Sequence, residues 1–249
     1  MSRYFLEVSY KGTRYSGFQS QKNANTIQAE VEKAFGVLQK ARVIMVGSSR
    51  TDAGVHALQN FFHFDYDEGI HPHFVYKMNA ILPEDITVKN IYKVKDAAHC
   101  RFDAISREYR YFIYRYKNPF LRETAFYFPY KLDIKKLNEA AEVIKSHSDF
   151  TSFSKRKTQV KTFICGIRES EWDFENECIV YKVKANRFLR GMVRALVATM
   201  LMVAREKISL EDIEEILKAK DPSKASFSAP SQGLFLFRVN YSPEIFLPG

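Results

Sequence analysis

The sequence predicts an α+β fold built from two ferredoxin-like halves. Three observations carry that expectation: a period-two apolar pattern that starts at Arg3, helix-period stripes between such patterns, and a strand-helix-strand-strand-helix-strand order whose theme the second half repeats. At 249 residues and 46% hydrophobic content the chain can bury a substantial core, and its length fits one large domain or two small ones. Element order rather than residue identity makes the case for duplication, dividing the chain into residues 1–105 and 106–249.

The first strand, Arg3–Tyr10, sets Tyr4, Leu6, Val8 and Tyr10 against Phe5, Glu7 and Ser9, and Lys11-Gly12 ends it. Thr26 then caps a helix whose Ile27, Val31, Phe35 and Leu38 share one face, as a helix packed on a sheet requires. Strands are expected over residues 42–46 and 60–66, separated by a polar, Gly-containing loop at 47–56. A short helix at 73–79 leads through Leu82-Pro83 to a strand at 87–94. In the second half a strand at 108–116 precedes Asp133, which caps a helix with Ile134, Leu137, Ala141 and Ile144 on one face. Strands at 162–171 and 178–185 follow. The segment 188–204 is apolar around most of its circumference and reads as a buried helix, Ser209 with Asp212 opens another by a capping-box-like pattern, and 233–241 supplies a last strand.

Composition narrows the partners. The 38 Lys+Arg outnumber the 29 Asp+Glu, giving a net charge of +9 that favours a polyanion, because each neutralised phosphate releases counterions. Aromatic residues make up 14%, enough to fill a core and leave rings to stack on bases. Cys100, Cys165 and Cys178 are odd in number and lack C-x-x-C spacing, which argues against a disulfide framework or a zinc motif and suits a reduced, cytoplasmic protein. No apolar run is long enough to span a membrane, and the N-terminus enters a strand pattern without a signal-peptide block.

The sharpest local signal is Gly47-Ser48-Ser49-Arg50-Thr51-Asp52-Ala53-Gly54-Val55-His56-Ala57, one carboxylate set in a polar turn between an arginine and a glycine. By composition alone such a string is more often a plain turn. The run Arg50-Thr51-Asp52-Ala53-Gly54-Val55-His56-Ala57, however, closely resembles the active-site signature of the tRNA pseudouridine synthase A family. Other blocks resemble that family in the same order: Tyr10-Lys11-Gly12-x-x-Tyr15-x-Gly17-Phe18-Gln19-x-Gln21, Thr26-Ile27-Gln28, Asn79-x-x-Leu82-Pro83, Arg101-Phe102 and Arg107-Glu108-Tyr109-Arg110-Tyr111. Towards the C-terminus come Asp149-Phe150-Thr151-Ser152-Phe153, Ala185-Asn186-x-Phe188-Leu189-x-x-Met192-Val193-Arg194 and Ala229-Pro230-x-x-Gly233-Leu234. Three positions depart: Lys11 where the family usually has Asp, Phe18 where it usually has Trp, and Ser49 where a Gly often precedes the motif arginine.

The resemblance implies a pseudouridine synthase fold, two ferredoxin-like halves sharing a continuous antiparallel sheet with the Asp52 loop in a cleft between them. It implies Asp52 as the catalytic carboxylate, Arg50 as an aid to extruding the target nucleotide, Arg194 as the arginine paired with the aspartate, and Tyr109 as the ring that stacks on the target base. It further implies a homodimer acting without a cofactor on uridines at tRNA positions 38, 39 and 40, in the anticodon stem-loop. One ionised carboxylate suffices whether it attacks C1′, stabilises an oxocarbenium-like centre or leads to a glycal, and the sequence leaves all three open. Read by pattern alone, Tyr109 shares a strand face with Tyr111 and Ile113 and fits a core, and Arg194 fits a phosphate contact equally well.

No metal is expected, since His56 and His63 lack a third ligand at a recognisable spacing. Lys155, Arg156, Lys157, Lys161, Arg187 and Arg190 are the candidate phosphate contacts. Two rival classes predict different products: a non-catalytic RNA-binding module leaves RNA unchanged, and a nucleoside hydrolase releases free uracil but normally needs a second carboxylic acid. Pseudouridylation of another RNA is the nearest alternative.

Overall fold

A computed structural model describes residues 1–156 and 160–248, so Lys157 lies outside the described residues. In chain order these form β1 (Arg3–Tyr10), α1 (Ile27–Gln39), β2 (Val46–Gly47), β3 (His56–Asp65), α2 (Phe74–Ile81) and β4 (Ile86–Val94). There follow β5 (Ser106–Tyr114), β6 (Phe126–Tyr127), α3 (Ile134–Lys145), β7 (Ile167–Glu175), β8 (Cys178–Ala185), α4 (Met192–Ala204), α5 (Leu210–Ala219) and β9 (Leu234–Asn240). The α+β class read from the sequence holds. The chain divides into two compact units, Met1–Ile105 with Phe235–Gly249, and Ser106–Leu234. The C-terminal strand, expected in the second half, thus returns to the first unit.

In the first unit β1 lies between β4 and β3, antiparallel to both, and β2 pairs antiparallel with β3. This is the strand arrangement that a ferredoxin-like order produces. β9 joins β3 in parallel through His56–Phe235 and Ala57–Leu236, so the sheet is mixed rather than antiparallel throughout. Thr26 caps α1 by accepting from the Ala29 N–H, and α1 turns Phe35 edge-on to Phe64 (5.1 Å), Tyr66 (5.4 Å) and Phe74 (5.8 Å). Burying each such ring stabilises the fold by about 1.5–3 kcal/mol.

The second unit repeats the theme: β8 lies between β5 and β7, antiparallel to each, while the two-residue β6 runs parallel to the end of β5. Asp133 caps α3 through the Lys135 and Lys136 N–H groups, and Ser209 with Asp212 completes a capping box on α5. α4 is buried along nearly its whole length, as its all-round apolar sequence requires. One side of the β5-β8-β7 sheet carries ion pairs, among them Arg110–Glu175 (2.9 Å), Lys182–Asp173 (3.0 Å) and Lys184–Glu169 (2.8 Å).

Four of the boundaries that differ from the sequence reading do so for a visible reason. The strand expected at 42–46 contracts to Val46–Gly47, because the backbone of Met45 is taken by α1 side chains: its N–H donates to Glu32 Oε1 (3.1 Å) and its carbonyl accepts from Gln28 Nε2 (2.8 Å). β3 starts at His56 rather than 60, recruited by pairing of Ala57 with Tyr10 and by β9. β7 starts at Ile167 rather than 162, since the preceding chain bonds elsewhere, Cys165 N–H to Ser148 O (2.8 Å) and Gly166 N–H to Asn186 Oδ1 (2.8 Å). α4 starts at Met192 rather than 188, because Gly191 adopts a left-handed φ of 76° that a continuing helix does not allow.

Candidate active site

The Asp52 loop runs from β2 to β3 in the first unit. Ser48, Ser49 and Thr51 are buried, Asp52 is half-buried and Arg50 is exposed, so the chain presents the two charged side chains from a base of packed neighbours. The turn closes on a bond from the Val55 N–H to the Asp52 carbonyl (3.2 Å), with Gly54 at φ 77°.

The loop is held from behind by residues of β1, β3 and the segment after β1. Asn60 Nδ2 donates to the Ser49 carbonyl (2.9 Å) and to Tyr10 Oη (3.2 Å), and Tyr10 Oη lies 2.8 Å from Thr51 Oγ1. The Thr51 carbonyl accepts from the Phe18 N–H (3.1 Å), and the Ser48 N–H donates to the Phe61 carbonyl (2.8 Å). Residue 12 has to be glycine, since a Cβ there would sit 2.0 Å from the Val55 carbonyl oxygen. At Gly17, with φ 109°, an added Cβ would lie 3.1 Å from the Thr51 carbonyl oxygen.

The N-terminal motif therefore builds the seat of the Asp52 loop. Phe18, where the related family usually carries Trp, is fully buried, stacks on Phe62 (4.5 Å) and leaves no room for a side chain at Gly47. It is a core residue. Lys11 is exposed and its N–H bonds the Asp85 carbonyl (2.9 Å), while Ser49 acts through its carbonyl.

His56 is fully buried. Its Nδ1 accepts from the Gly12 N–H (3.1 Å) and its ring stacks on Phe235 (4.5 Å), so it fastens the start of β3 to the Gly12 turn and to β9. His63 has neighbours that spacing did not reveal, because His99 and Cys100 offer ligand atoms within 4.8 Å of its own and of each other. These atoms are already engaged: His99 Nδ1 accepts from the Arg101 N–H (3.1 Å), His63 Nδ1 accepts from the Cys100 N–H (3.4 Å), and the Cys100 thiol gives its proton to the Val46 carbonyl (3.1 Å). A metal would have to displace that network.

In the second unit, Tyr109 of β5 is nine-tenths buried and meets Phe188 edge-on at 4.9 Å. Arg194 stands in the first turn of α4, half-buried, with Nε donating to the Ala229 carbonyl (2.6 Å) and Nη2 to the Phe227 carbonyl (3.4 Å). The Pro230 carbonyl accepts from Tyr111 Oη (2.8 Å), and a Cβ on Gly233 would lie 2.8 Å from the Tyr111 ring. The Ala229-to-Gly233 motif is thus the socket for Arg194 and Tyr111.

Of the candidate phosphate contacts, Lys155 and Arg190 are joined by a backbone bond, Lys155 N–H to Arg190 O (2.9 Å), and Arg156 is exposed beside Asp221 (3.4 Å). Lys161 is exposed and Arg187 half-buried. Among the described residues no helix is long and apolar enough to cross a membrane.

Comparison with known proteins supplies what the geometry does not. A family model described as tRNA pseudouridine synthase matches residues 7–103 and 141–242. The chain is 42% identical over 248 residues to the tRNA pseudouridine synthase A of Parabacteroides distasonis, covering 99% of this chain and 98% of that one. It is 45% identical over 249 residues to the enzyme of that name from Bacteroides fragilis, covering 99% of both. With that from Bacillus subtilis the identity is 39% over 239 residues, or 94% of this chain and 97% of the other.

Proposed function

The chain belongs to the tRNA pseudouridine synthase family, isomerases that convert uridine to pseudouridine in tRNA, and on that premise we propose that Asp52 is its catalytic carboxylate and that its target uridines lie in the anticodon stem-loop. The observation that carries the reading is the loop itself. A half-buried carboxylate is fixed beside two residues, Ser49 and Thr51, whose polar atoms are bonded to β3 and β1.

The reaction breaks the C1′–N1 glycosidic bond, turns the detached uracil while it stays bound, joins C5 to C1′ and moves the C5 proton off carbon, with no redox change and no external atom. One fixed carboxylate beside C1′ meets that need, and the base must be held while it is detached. We assign Tyr109 as the ring that holds the extruded uracil, Arg194 as the counter-charge of the carboxylate, and Arg50 as the residue that helps bring the nucleotide out. Support for Arg194 is its socket, because two backbone carbonyls fix a guanidinium that would otherwise sample many rotamers. Adjacent targets in one stem-loop call for recognition by shape and charge rather than base reading. A homodimer in the cytoplasm completes the proposal, its mass to be read by light scattering.

The test is incubation of the wild type and of Asp52→Asn with an unmodified tRNA transcript, mapping pseudouridine at nucleotide resolution and assaying free uracil in the same tube. The expected result is pseudouridine in the anticodon arm with the wild type, and a loss on the order of 10³-fold or more with Asp52→Asn. Pseudouridine elsewhere would refute the substrate assignment. Free uracil would turn the enzyme into a hydrolase.

A further inference from the structure

We propose that Asn60, acting with Tyr10, is the positioning residue that sets the place of Asp52. This rests on the reading of Asp52 as the catalytic carboxylate, and adds two residues that do not themselves touch substrate.

Asn60 is fully buried on β3, and each polar atom of its amide is bonded: Nδ2 to the Ser49 carbonyl and to Tyr10 Oη, Oδ1 from the Phe61 N–H (2.9 Å). The amide has only two protons to give, one used on the Ser49 carbonyl of the loop and one on Tyr10 Oη of β1. Tyr10 Oη, which receives one of them, is itself hydrogen-bonded to Thr51 Oγ1 (2.8 Å). A hydrogen-bond chain thus links the Asn60 amide through the Tyr10 hydroxyl to Thr51, and in parallel Asn60 donates to Ser49.

The pinned residues bracket Arg50 and lie immediately before Asp52. The Thr51 carbonyl is separately held by the Phe18 N–H, so residue 51 is fixed at both side chain and main chain. Truncating Asn60 would leave the Ser49 carbonyl without that donor in a water-excluded site, and residues 49–52 would seek water by moving outward. A shift of about 1 Å in a catalytic group costs on the order of 10² in rate. A substitution that only weakened packing would lower stability and leave the turnover of the folded enzyme alone.

The experiment measures kcat, KM for tRNA and Tm for Tyr10→Phe, Asn60→Ala, the two combined, and Asp52→Asn. Asn79→Ala is the control. Asn79 also bonds backbone, to Val88 O (2.9 Å) and from Val88 N–H (2.8 Å), but it ties α2 to β4. Tyr10→Phe removes one hydroxyl and is the arm least able to unfold the protein. The expected result is a kcat reduced about tenfold in Tyr10→Phe and on the order of 10² in Asn60→Ala, with KM unchanged and the double variant no worse than Asn60→Ala alone. Asn79→Ala should lower Tm without lowering kcat. Folded Tyr10→Phe with wild-type kcat overturns the positioning role while an inactive Asp52→Asn keeps the carboxylate assignment. An active Asp52→Asn overturns both.

Discussion

The residue scale shows most plainly what a chain can and cannot disclose. The role proposed for Asp52 comes from a string that resembles a family signature, since by composition alone it reads as a plain turn, and the roles proposed for Arg194 and Tyr109 come from motifs that resemble the same family. Nothing pointed to Asn60, since a lone amide in an alternating strand has no signature until the fold brings the Ser49 carbonyl and the Tyr10 hydroxyl to its two protons. Phe18, which stands where the related family usually has Trp, is a core ring stacked on Phe62. The cysteines carry a prediction at this scale. Burial pushes the Cys165 thiol up to about 11, with the Arg187 charge pulling it partway back, so at pH 8 about one molecule in a thousand holds the thiolate. Native protein should therefore react with a thiol dye only slowly at Cys165, faster as pH approaches 11 and at once in denaturant. A fast native-state phase at pH 8 that disappears in Cys165→Ser would contradict the burial argument.

Among the elements, caps and stripes proved readable while starts set by tertiary bonds did not. Thr26, Asp133 and Ser209 each cap where the sequence placed them, because a side-chain oxygen two or three residues ahead of an N–H is a local affair. The strand at 42–46 failed because side chains from α1 took the backbone of Met45, a competition no period-two pattern reveals. The late start of α4 turns on Gly191, whose left-handed φ carries the chain from residue 190 into the helix and whose missing Cβ leaves room for Lys155 Cγ, 3.0 Å from where it would lie. Gly191→Ala should cost about 1–2 kcal/mol, seen as a lower denaturant midpoint at unchanged slope. An unaltered midpoint would mean that the turn tolerates a side chain after all.

For the whole molecule the question is where a net charge of +9 is spent. Lys182, Lys184 and Arg110 pair with acidic side chains on the β5-β8-β7 sheet, and Lys155, Arg156 and Arg190 gather around the turn before α4, where Asp221 lies beside Arg156. Replacing those three by Ala should raise KM for tRNA, leave kcat at saturating tRNA near wild type, and flatten log K against log salt by about one for each phosphate that is no longer neutralised. An unchanged salt slope would place the phosphate-binding cations elsewhere. The division of the chain was only half visible in the sequence: residues 1–105 read as a self-contained strand-helix order, and nothing local showed that β9 would cross back to pair with β3. That return has a consequence for how the enzyme comes into being. On the ribosome Ser106–Leu234 emerges as one continuous stretch, but the unit that carries Asp52 waits for Phe235 to stack on His56 and for the Tyr241 hydroxyl to reach Ser48 Oγ (3.0 Å) and the Cys100 carbonyl (2.6 Å). The nascent protein translates the aspartate proposed as catalytic early and finishes the scaffold around it last, so a chain halted before Phe235 would hold Asp52 without the packing that completes its unit.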